Sequence, residues 1–504
     1  MSETLFIFGD QLLDNHPGLT RRQVDRVLMV ESSALLMARP YHMKKLALLI
    51  SAMRHYAGQL RAAGVEVDYR KAFDLSTAIR QHLQDFDVNT LVVMNPDSFS
   101  ARQIISKWPE LFEVAVEVLE NEKMLYTRTS LKDRFIGHSF KTQEHFYRRM
   151  RSATGLLMEQ DHLPTGGSWN FDKSNRRPLP KSGLDISPPI VFEPDAITSE
   201  VIGEVRLFKT TFGDLEGFNL AVDSNQAQQA LNDFIENRLV SFGLYEDAMT
   251  FKSDLVFHSG ISAYLNLGLL DPMEVCRSVE AAFQNRQVSI EAAEGFVRQV
   301  IGWREYMHFQ YSSAMPSLKS SNAWNHKRQL PHFWWSGITE MNCMRHVLDR
   351  VKQSGYSHHI ERLMILTNFA FMAEVDPQEV NEWFRAVYID AYDWVVTPNV
   401  IGMGLNADGG GIATKPYFSS ANYINRMSDY CPTCRFNPSE RTGPSACPFN
   451  QLFWRKVSVE RDNISKHFRS RMLVRQLDKM EQHERSMIIS SAQQWLDLEV
   501  PRAK

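Results

Sequence analysis

Residues 419–456, SSANYINRMSDYCPTCRFNPSERTGPSACPFNQLFWRK, carry three of the five cysteines of this 504-residue chain. Cys431, Cys434 and Cys447 have the spacing C-x2-C-x12-C, and a proline follows the first and the last of them. Cys343 offers a fourth thiolate from upstream, and no histidine lies inside the motif. Four thiolates suit either a zinc ion or a 4Fe–4S cluster, and a C-x2-C pair by itself favours zinc.

The composition is that of an ordinary globular protein. Hydrophobic residues make up 43% and charged residues 23% of the chain, which is typical of soluble domains. The N-terminus has no basic segment followed by an apolar run and a cleavage site, and no apolar run is long enough to span a bilayer. Five cysteines in so long a chain do not make a disulfide framework. We therefore expect a cytoplasmic, monomeric protein of two or three domains.

Positive charge is concentrated near the C-terminus, although the net charge of the chain is only −3. From residue 415 to residue 475, eleven Lys and Arg residues stand against four Asp and Glu residues, with Phe, Tyr and Trp interleaved. Such a stretch is compatible with nucleic-acid binding, and it is equally compatible with a solvated helix face. The first interpretation predicts that Arg455 and Arg469 contact DNA phosphates.

Residues 1–125 alternate short apolar strands with amphipathic helices. The strand patterns are TLFIFG, RVLMVES, VEVDYR, TLVVMNP and FEVAVEVLE, and the clearest helix is KKLALLISAMRHYAGQLRAAG, which ends at Gly64. This alternation predicts a doubly wound parallel sheet that binds its ligand at the carboxyl ends of the strands. Gly9 and Asp10 follow the first strand there, without a G-x-G-x-x-G fingerprint.

The rest of the chain divides into a linker and a helical region. Residues 126–225 are loosely patterned and include HLPTGGSWNFDKSNRRPLPKSGLDISPP, which is rich in Gly, Pro, Ser and Asn. Residues 226–504 show a 3.6-residue periodicity almost throughout. The predicted fold class is therefore α/β plus all-α, with an N-terminal parallel-sheet domain followed by a helical domain.

Two segments of the helical domain present polar groups that suit a bound ligand. FHSGISAYLNLGLL places hydroxyl and N–H groups just before a helix, and its candidate residues are His258, Ser259, Gly260 and Ser262. Such groups bind phosphate at a helix N-terminus, although serine is also an ordinary N-cap. GFVRQVIGWREYMHF sets Gln299 and Arg304 among apolar residues, which predicts either a polar ligand or a buried ion pair.

Two further segments combine titratable and aromatic residues. SGYSHHIERLM contains His358 and His359, which point to different faces of a helix, so that one of them at most reaches a reacting atom. WFRAVYIDAYDWVVTPN places Asp390 in an aromatic setting, where a carboxyl group is either paired or protonated. The tryptophans of this region, including Trp383 and Trp335, are either core residues or a path for electrons.

In this order, the four segments and the cysteine pattern resemble the photolyase–cryptochrome superfamily over essentially the whole chain. HSGISAYLNLGLL is similar to the flavin-phosphate loop of that superfamily, and RQVIGWREYM to its W-R-E helix. WFRAVYIDAYDWVVTPN is similar to the segment under the isoalloxazine ring. The likeness is strongest to the bacterial iron–sulfur branch, the prokaryotic 6–4 photolyases, and it favours a 4Fe–4S cluster over zinc.

The resemblance implies light-driven repair of 6–4 pyrimidine photoproducts in UV-damaged DNA by electron transfer from reduced FAD. His359 would be the proton donor, supported by His358, and electrons would pass along Trp383, Phe384 and Trp335. The implied FAD contacts are His258, Ser259, Gly260, Ser262, Gln299, Arg304, Asp390 and Asn399. The implied cluster ligands are Cys343, Cys431, Cys434 and Cys447, and an antenna, 6,7-dimethyl-8-ribityllumazine, would contact Gly9 and Asp10.

Two positions depart from the pattern of the superfamily. Val396 stands where many relatives have a polar or acidic residue near N5 of the flavin, and Leu35 stands where a relative offers a carboxylate to the antenna. Two other functions stay open. One is a cryptochrome-type blue-light photoreceptor without repair activity, and the other is a non-catalytic iron–sulfur DNA-binding module of the primase large-subunit kind. Cys276 lies outside the motif, and we expect it to pack as a small apolar residue.

Overall fold

The computed structural model describes residues 2–160, 162–466 and 470–502. Its five strands are β1 (Glu3–Ile7), β2 (Arg26–Ser32), β3 (Val67–Ala72), β4 (Thr90–Met94) and β5 (Ala115–Leu119). They pair in parallel in the order β3-β2-β1-β4-β5. The predicted doubly wound parallel sheet, with all five of its strands, is confirmed.

Both faces of the sheet are buried, because side chains alternate along each strand. Leu5, Val27 and Val92 face the large core that includes the helix Met43–Ala62. Phe6 belongs to a second core on the other face, which includes Trp108. The helices of this domain are Pro17–Thr20, Ser33–Leu36, Met43–Ala62, Leu75–Asp85, Phe99–Ile105 and Trp108–Phe112.

The segment between the sheet and the helical domain is mostly irregular. It contains the helices Gln143–Thr154 and Ala196–Val205 and the 3-10 turns Leu125–Thr127, Lys132–Arg134, Thr165–Gly167 and Asp172–Ser174. The second of these helices packs on Met43–Ala62, and Arg54 forms ion pairs with Glu204 and with Glu31 of β2. The end of this segment is therefore fixed to the sheet domain.

The described part of the chain beyond residue 223 is helical. The α-helices are Ser224–Asn237, Leu239–Tyr245, Ser262–Leu267, Pro272–Gln284, Ile290–Val297, Glu305–Ala314, Phe333–Ser336, Asn342–Ser354, Asn368–Met372, Pro377–Val387, Asp393–Thr397, Ala421–Met427, Pro448–Val459, Arg461–Lys466, Arg471–Asp478 and Gln482–Glu499, with a 3-10 turn at Ser317–Ser320. None of the described helices is both long and apolar enough to cross a membrane. The predicted α/β plus all-α architecture is confirmed.

Three π-helical segments interrupt this pattern. They are Arg298–Arg304, Glu361–Thr367 and Pro398–Gly404, and each continues directly from or into an α-helix. The sequence periodicity predicted unbroken α-helices through the first two of these segments. π-helical turns inserted into α-helices occur frequently at functional sites, and all three segments meet at one cavity.

Candidate functional site

A cavity of about 620 Å3 lies within the helical domain, which is a typical size for a cofactor or substrate site. The predicted FAD contacts that line it are His258, Ser259, Ser262, Gln299, Arg304, Asp390 and Asn399. His359, Phe384 and Val396 also reach its wall. Among the described lining residues Gly260 is absent; at φ +71° it forms the turn before the helix Ser262–Leu267.

Asp390 is an ionised, paired carboxylate on the cavity wall. Its two oxygens each accept a hydrogen bond from Arg362 at 3.0 Å, and Oδ2 also accepts one from the Ser262 hydroxyl at 2.7 Å. Burial opposes ionisation, but attraction to Arg362 and these hydrogen bonds hold the pKa of Asp390 below its ordinary value. The Ser262 hydroxyl thus binds a carboxylate here, although we expected it to contact phosphate.

A second polar pair on the wall joins Gln299 to Glu246. Gln299 donates through Nε2 to Glu246 Oε1 at 2.6 Å. Burial raises the pKa of Glu246 to about 7, against the attraction of Arg298 and His359. This carboxyl group therefore titrates near neutral pH. Sequence analysis missed both Glu246 and Arg362, because their partners are distant in the chain.

The first π-helical segment places two buried arginines, Arg298 and Arg304, on the cavity wall. Arg298 Nε and Nη2 and Arg304 Nε are buried and have no hydrogen-bond partner among the described residues. Arg304 Nη1 donates to Glu305 at 2.7 Å, and Asn399 accepts a hydrogen bond from Trp303 Nε1 at 3.1 Å. Arg298 also lies 3.4 to 3.8 Å from the carboxylates of Asp172, Glu246 and Glu294. The buried Arg304 Nε is therefore the donor that suits an anionic ligand such as a phosphate group.

The two adjacent histidines lie in different environments. His359 lines the cavity with 45% of its side chain exposed, and its Nε2 is 3.8 Å from Asp247 Oδ1. His358 is fully buried, and burial holds its pKa well below the ordinary histidine value. The structure therefore exposes one histidine to the cavity and buries its neighbour, which lies in the irregular segment just before the helix.

His258 completes a cluster of three imidazoles. One ring nitrogen from each of His258, His358 and His359 lies within 4.8 Å of the others. However, the rings of His258 and His358 stack at 4.7 Å with only 15° between their planes, and His258 Nε2 lies 3.1 Å from the Glu246 carbonyl oxygen. Imidazole lone pairs lie in the ring plane, so two nearly parallel rings do not direct them at one metal ion. We interpret the cluster as packed histidines rather than a metal site.

An aromatic path leads away from the cavity through Phe384. The Trp383 ring centroid is 5.3 Å from that of Phe384 and 6.4 Å from that of Trp335. Trp334 is closer still, at 4.8 Å from Trp383, and it is fully buried. Sequence analysis selected Trp335 and did not assign its neighbour Trp334 to the path, because a pair of adjacent tryptophans gives no indication of which ring points inward.

The four cysteines of the predicted metal site line one small cavity. Cys343, Cys431, Cys434 and Cys447 all contribute to it, whereas Cys276 is buried in the separate helix Pro272–Gln284. Burial, reinforced by the neighbouring thiols, raises the pKa of Cys431 to about 12. Thiolates in this cavity therefore require a bound cation.

The spacing of the sulfurs bears on the choice between zinc and a cluster. A tetrahedral zinc ion with Zn–S bonds of about 2.3 Å holds its sulfurs roughly 3.8 Å apart. Within the described chain, no three of these cysteine sulfurs lie within 4.8 Å of one another. The four side chains therefore line one cavity without the close spacing of a zinc-bound tetrahedron.

Comparison with known proteins identifies the family. The family model of deoxyribodipyrimidine photo-lyase-related proteins matches residues 5–220. The (6-4) photolyase of Agrobacterium fabrum is 41% identical over 478 residues, which cover 93% of this chain and 94% of that protein. The chain belongs to the photolyase–cryptochrome superfamily. The resemblance deduced from the flavin-like segments and the cysteine pattern is confirmed.

Solved structures agree with the superfamily fold. A bacterial class III photolyase from Agrobacterium tumefaciens is 17% identical, with a TM-score of 0.57, and the match covers 84% of this chain and 86% of that one. A Synechocystis cryptochrome is 15% identical, with a TM-score of 0.58 over the same shares of the two chains. The superfamily architecture of an α/β domain followed by a helical domain is therefore present here.

Two residues of the basic C-terminal stretch, Arg455 and Lys456, are buried inside the helical domain. Arg455 is buried, and it donates to both oxygens of Glu374 at 3.0 and 3.3 Å. Lys456 is fully buried beside it. The prediction that Arg455 contacts DNA phosphate is wrong, because a count of charges does not reveal which residues face inward. Arg469, the second residue of that prediction, lies outside the described residues.

The predicted antenna residues lie at the boundary between the domains. Lys123 is fully buried and donates to the Asp10 carbonyl oxygen at 2.8 Å and to the Asn266 carbonyl oxygen of the helical domain at 3.0 Å. It also pairs with Asp97 at 2.5 Å. A Cβ atom at position 9 would lie only 2.7 Å from Met53 Sδ, so this position has room for glycine alone unless Met53 moves. Leu35, which stands where a relative offers a carboxylate to the antenna, is 55% exposed.

Proposed function

We propose that this protein repairs 6–4 pyrimidine photoproducts in DNA by light-driven electron transfer from reduced FAD. The observation that carries the proposal is the 41% identity to a (6-4) photolyase along 93% of the chain. That match spans both the sheet domain and the helical domain, which favours a photolyase over an isolated iron–sulfur DNA-binding module.

The large cavity fits FAD by its donor set. The buried Nε of Arg304 has no hydrogen-bond partner among the described residues, and it suits a phosphate oxygen of the cofactor. The Asp390–Arg362 pair supplies a fixed carboxylate for the flavin ring. When bound, reduced FAD supplies, after absorbing blue light, the electron that starts bond rearrangement in the lesion. The lesion reaches the cavity by flipping out of the duplex, because its atoms are inaccessible within the stack.

His359 is the proton donor in this proposal. Reversal of a 6–4 adduct moves a hydroxyl group, so it needs a group that gives a proton at the reacting oxygen. His359 has the exposed imidazole on the cavity wall, whereas His358 is fully buried and supports it from behind. Phe384, Trp383 and the tryptophans beyond them would carry electrons from the surface to the flavin site.

The cysteine cavity would hold a 4Fe–4S cluster. Four thiols converge there without a histidine or a carboxylate among the lining residues, and their sulfurs lack the close spacing of a zinc-bound tetrahedron. Such a cluster would join the helix Asn342–Ser354, which carries Cys343, to the C-terminal segment. We assign it the role of holding these segments in place.

An antenna chromophore, 6,7-dimethyl-8-ribityllumazine, is proposed near Gly9 and Asp10. These residues follow β1, which is flanked by β2 and β4 at the point where the strand order reverses, the usual ligand position in such sheets. The fluorescence spectrum of the chromophores released on denaturation identifies the antenna. Release of flavin alone would contradict this assignment.

The function is tested with duplex oligonucleotides that carry one defined lesion. The purified, reduced protein should convert a 6–4 photoproduct to intact pyrimidines under blue light and not in the dark, and it should leave a cyclobutane dimer unchanged. Repair of the cyclobutane dimer alone would overturn the choice of lesion. Light-induced flavin reduction without repair of either lesion would instead indicate a cryptochrome-type photoreceptor.

A further inference from the structure

Two elements that carry predicted cluster ligands converge on one buried carboxylate. Tyr430, directly before Cys431, is fully buried and donates its hydroxyl hydrogen to Glu361 Oε1 at 2.6 Å. Arg350 donates to the same oxygen, and it lies on the helix Asn342–Ser354 that begins beside Cys343. Glu361 thus accepts one hydrogen bond from the residue next to Cys431 and another from the helix that carries Cys343.

Glu361 is also the neighbour of the adjacent histidines. It begins the π-helical segment Glu361–Thr367, and His358 and His359 lie three and two residues before it in the chain. Its Oε1 is 3.8 Å from His358 Nε2. A shift of this carboxylate therefore moves the first turn of the segment and, with it, the two histidines.

His358 has little else to fix its orientation. Both of its ring nitrogens are buried without a hydrogen-bond partner among the described residues. Its ring is held by stacking on His258 at 4.7 Å and by the nearby Glu361 carboxylate. Stacking on His258 fixes the plane of the His358 ring but allows the ring to slide within that plane. The Glu361 carboxylate therefore determines the position of the ring within the plane.

The backbone around Tyr430 is tied to the cysteine motif as well. Asn342, which precedes Cys343, donates to the Tyr430 carbonyl oxygen at 3.2 Å and to the Thr433 hydroxyl at 2.9 Å. The Tyr430 ring stacks on His346 of the same helix at 5.5 Å. The backbone of Tyr430 therefore contacts the cysteine site, whereas its hydroxyl group contacts Glu361 beside the histidines.

We propose that Tyr430 and Glu361 are positioning residues that link the order of the cysteine site to the placement of His358 and His359 at the cavity. The inference rests on the proposed repair function, in which His359 gives the proton. It predicts that the cysteine site affects the chemistry through the hydrogen bonds to Glu361 and the 3.8 Å contact of Glu361 with His358, in addition to its effect on folding.

Tyr430→Phe tests the link because it removes one hydroxyl group and keeps the ring. Iron content, flavin content and KM for lesion DNA should match the wild type, while kcat for repair falls at least about tenfold, since a misplacement of about 1 Å costs up to about a hundredfold. In 15N-histidine-labelled protein, the side-chain NMR signals of His358 and His359 should shift. The matched control is Tyr56→Phe, which removes a buried hydroxyl that donates to Leu13 in the sheet domain; its kcat and histidine signals should stay unchanged.

Glu361→Gln is the second variant, because Glu361 is outside the cysteine cavity. It should keep its iron, lower kcat and shift the same histidine signals. Wild-type kcat in either iron-loaded variant, or unshifted histidine signals, would overturn the proposal. If the wild-type protein repairs no lesion, the proposed function fails, and the NMR comparison still decides whether the link exists.

Discussion

The two cavities of the helical domain are built in opposite ways. The large cavity, about 620 Å3, is lined by residues from position 172 to position 427, and several of its polar side chains already pair with one another. The cysteine cavity is far smaller, and four cysteine side chains line it. We therefore expect the first cavity to keep its shape without a ligand and the second to depend on a bound centre for its stability.

The largest effect is expected from Cys431→Ser. It removes one ligand of the centre that joins the C-terminal segment to the helix of Cys343, so both iron and cooperative unfolding should be lost. Iron analysis of anaerobically purified protein should fall from about four atoms per chain to below about one, and calorimetry should show no sharp transition. Cys276→Ala is the matched control, since it removes a buried thiol outside the cavity, and it should keep its iron. Stoichiometric zinc in wild-type protein from an iron-replete host would contradict the cluster assignment.

The next effect concerns the helix Pro448–Val459 that leaves the cysteine cavity. Arg455→Ala breaks the buried pair with Glu374 and should lower the free energy of unfolding by about 3 kcal/mol. Affinity for undamaged duplex DNA should be unchanged at every salt concentration, because the guanidinium group is buried. Arg441→Ala, which removes an exposed partner of Glu484, should change the stability by less than about 1 kcal/mol. Loss of DNA affinity in Arg455→Ala without loss of stability would restore the phosphate-contact interpretation.

Asp390→Asn tests the pairing within the large cavity. The pKa of Asp390 is held below its ordinary value, so its contribution to stability is present above pH 3.8 and is lost as the pH falls through the pKa of the folded state. The variant should not show this loss of thermal stability at low pH. It should also bind FAD about tenfold more weakly, because Arg362 is left without its carboxylate. Unfolding temperatures between pH 2.5 and pH 6, together with a flavin titration at pH 7.5, provide the measurement. An unchanged acid-side loss would show that another carboxyl group is responsible.

The smallest effect is expected from Glu246→Gln. Burial raises the pKa of Glu246 from 4.5 to about 7, so the folded state favours the neutral acid, and stability that is full below pH 4.5 is lost as the pH rises through about 7. The neutral amide avoids this loss. Calorimetry should therefore find a Tm about 2 °C above the wild type at pH 8.5 and an unchanged Tm at pH 4.5. An equal difference in Tm between the variant and the wild type at both pH values would contradict the titration of Glu246 in this range.

The same contrast explains what could be predicted from the sequence. The cysteine motif could be recognised because its three cysteines lie within 17 residues, Cys431–Cys447. The sheet could be recognised because strands buried on both faces are short, continuous apolar runs. Asp390 was predicted with its two possible states, but Arg362 was not, because spatial pairing across the cavity leaves no local pattern. The π-helical segments were missed since one extra residue per turn hardly alters hydrophobic periodicity. Arg455 was assigned to the surface because composition does not distinguish buried charges from exposed ones.

The central claim is that the large cavity performs repair and that His359 gives the proton. His359→Ala, measured against the wild type, tests it in one sample by recording flavin photoreduction and lesion repair together. Photoreduction should proceed at the wild-type rate, because Trp383 and Phe384 are unchanged, while repair of the 6–4 photoproduct should fall about a hundredfold or more. Repair at the wild-type rate, with lesion DNA bound normally, would contradict this account.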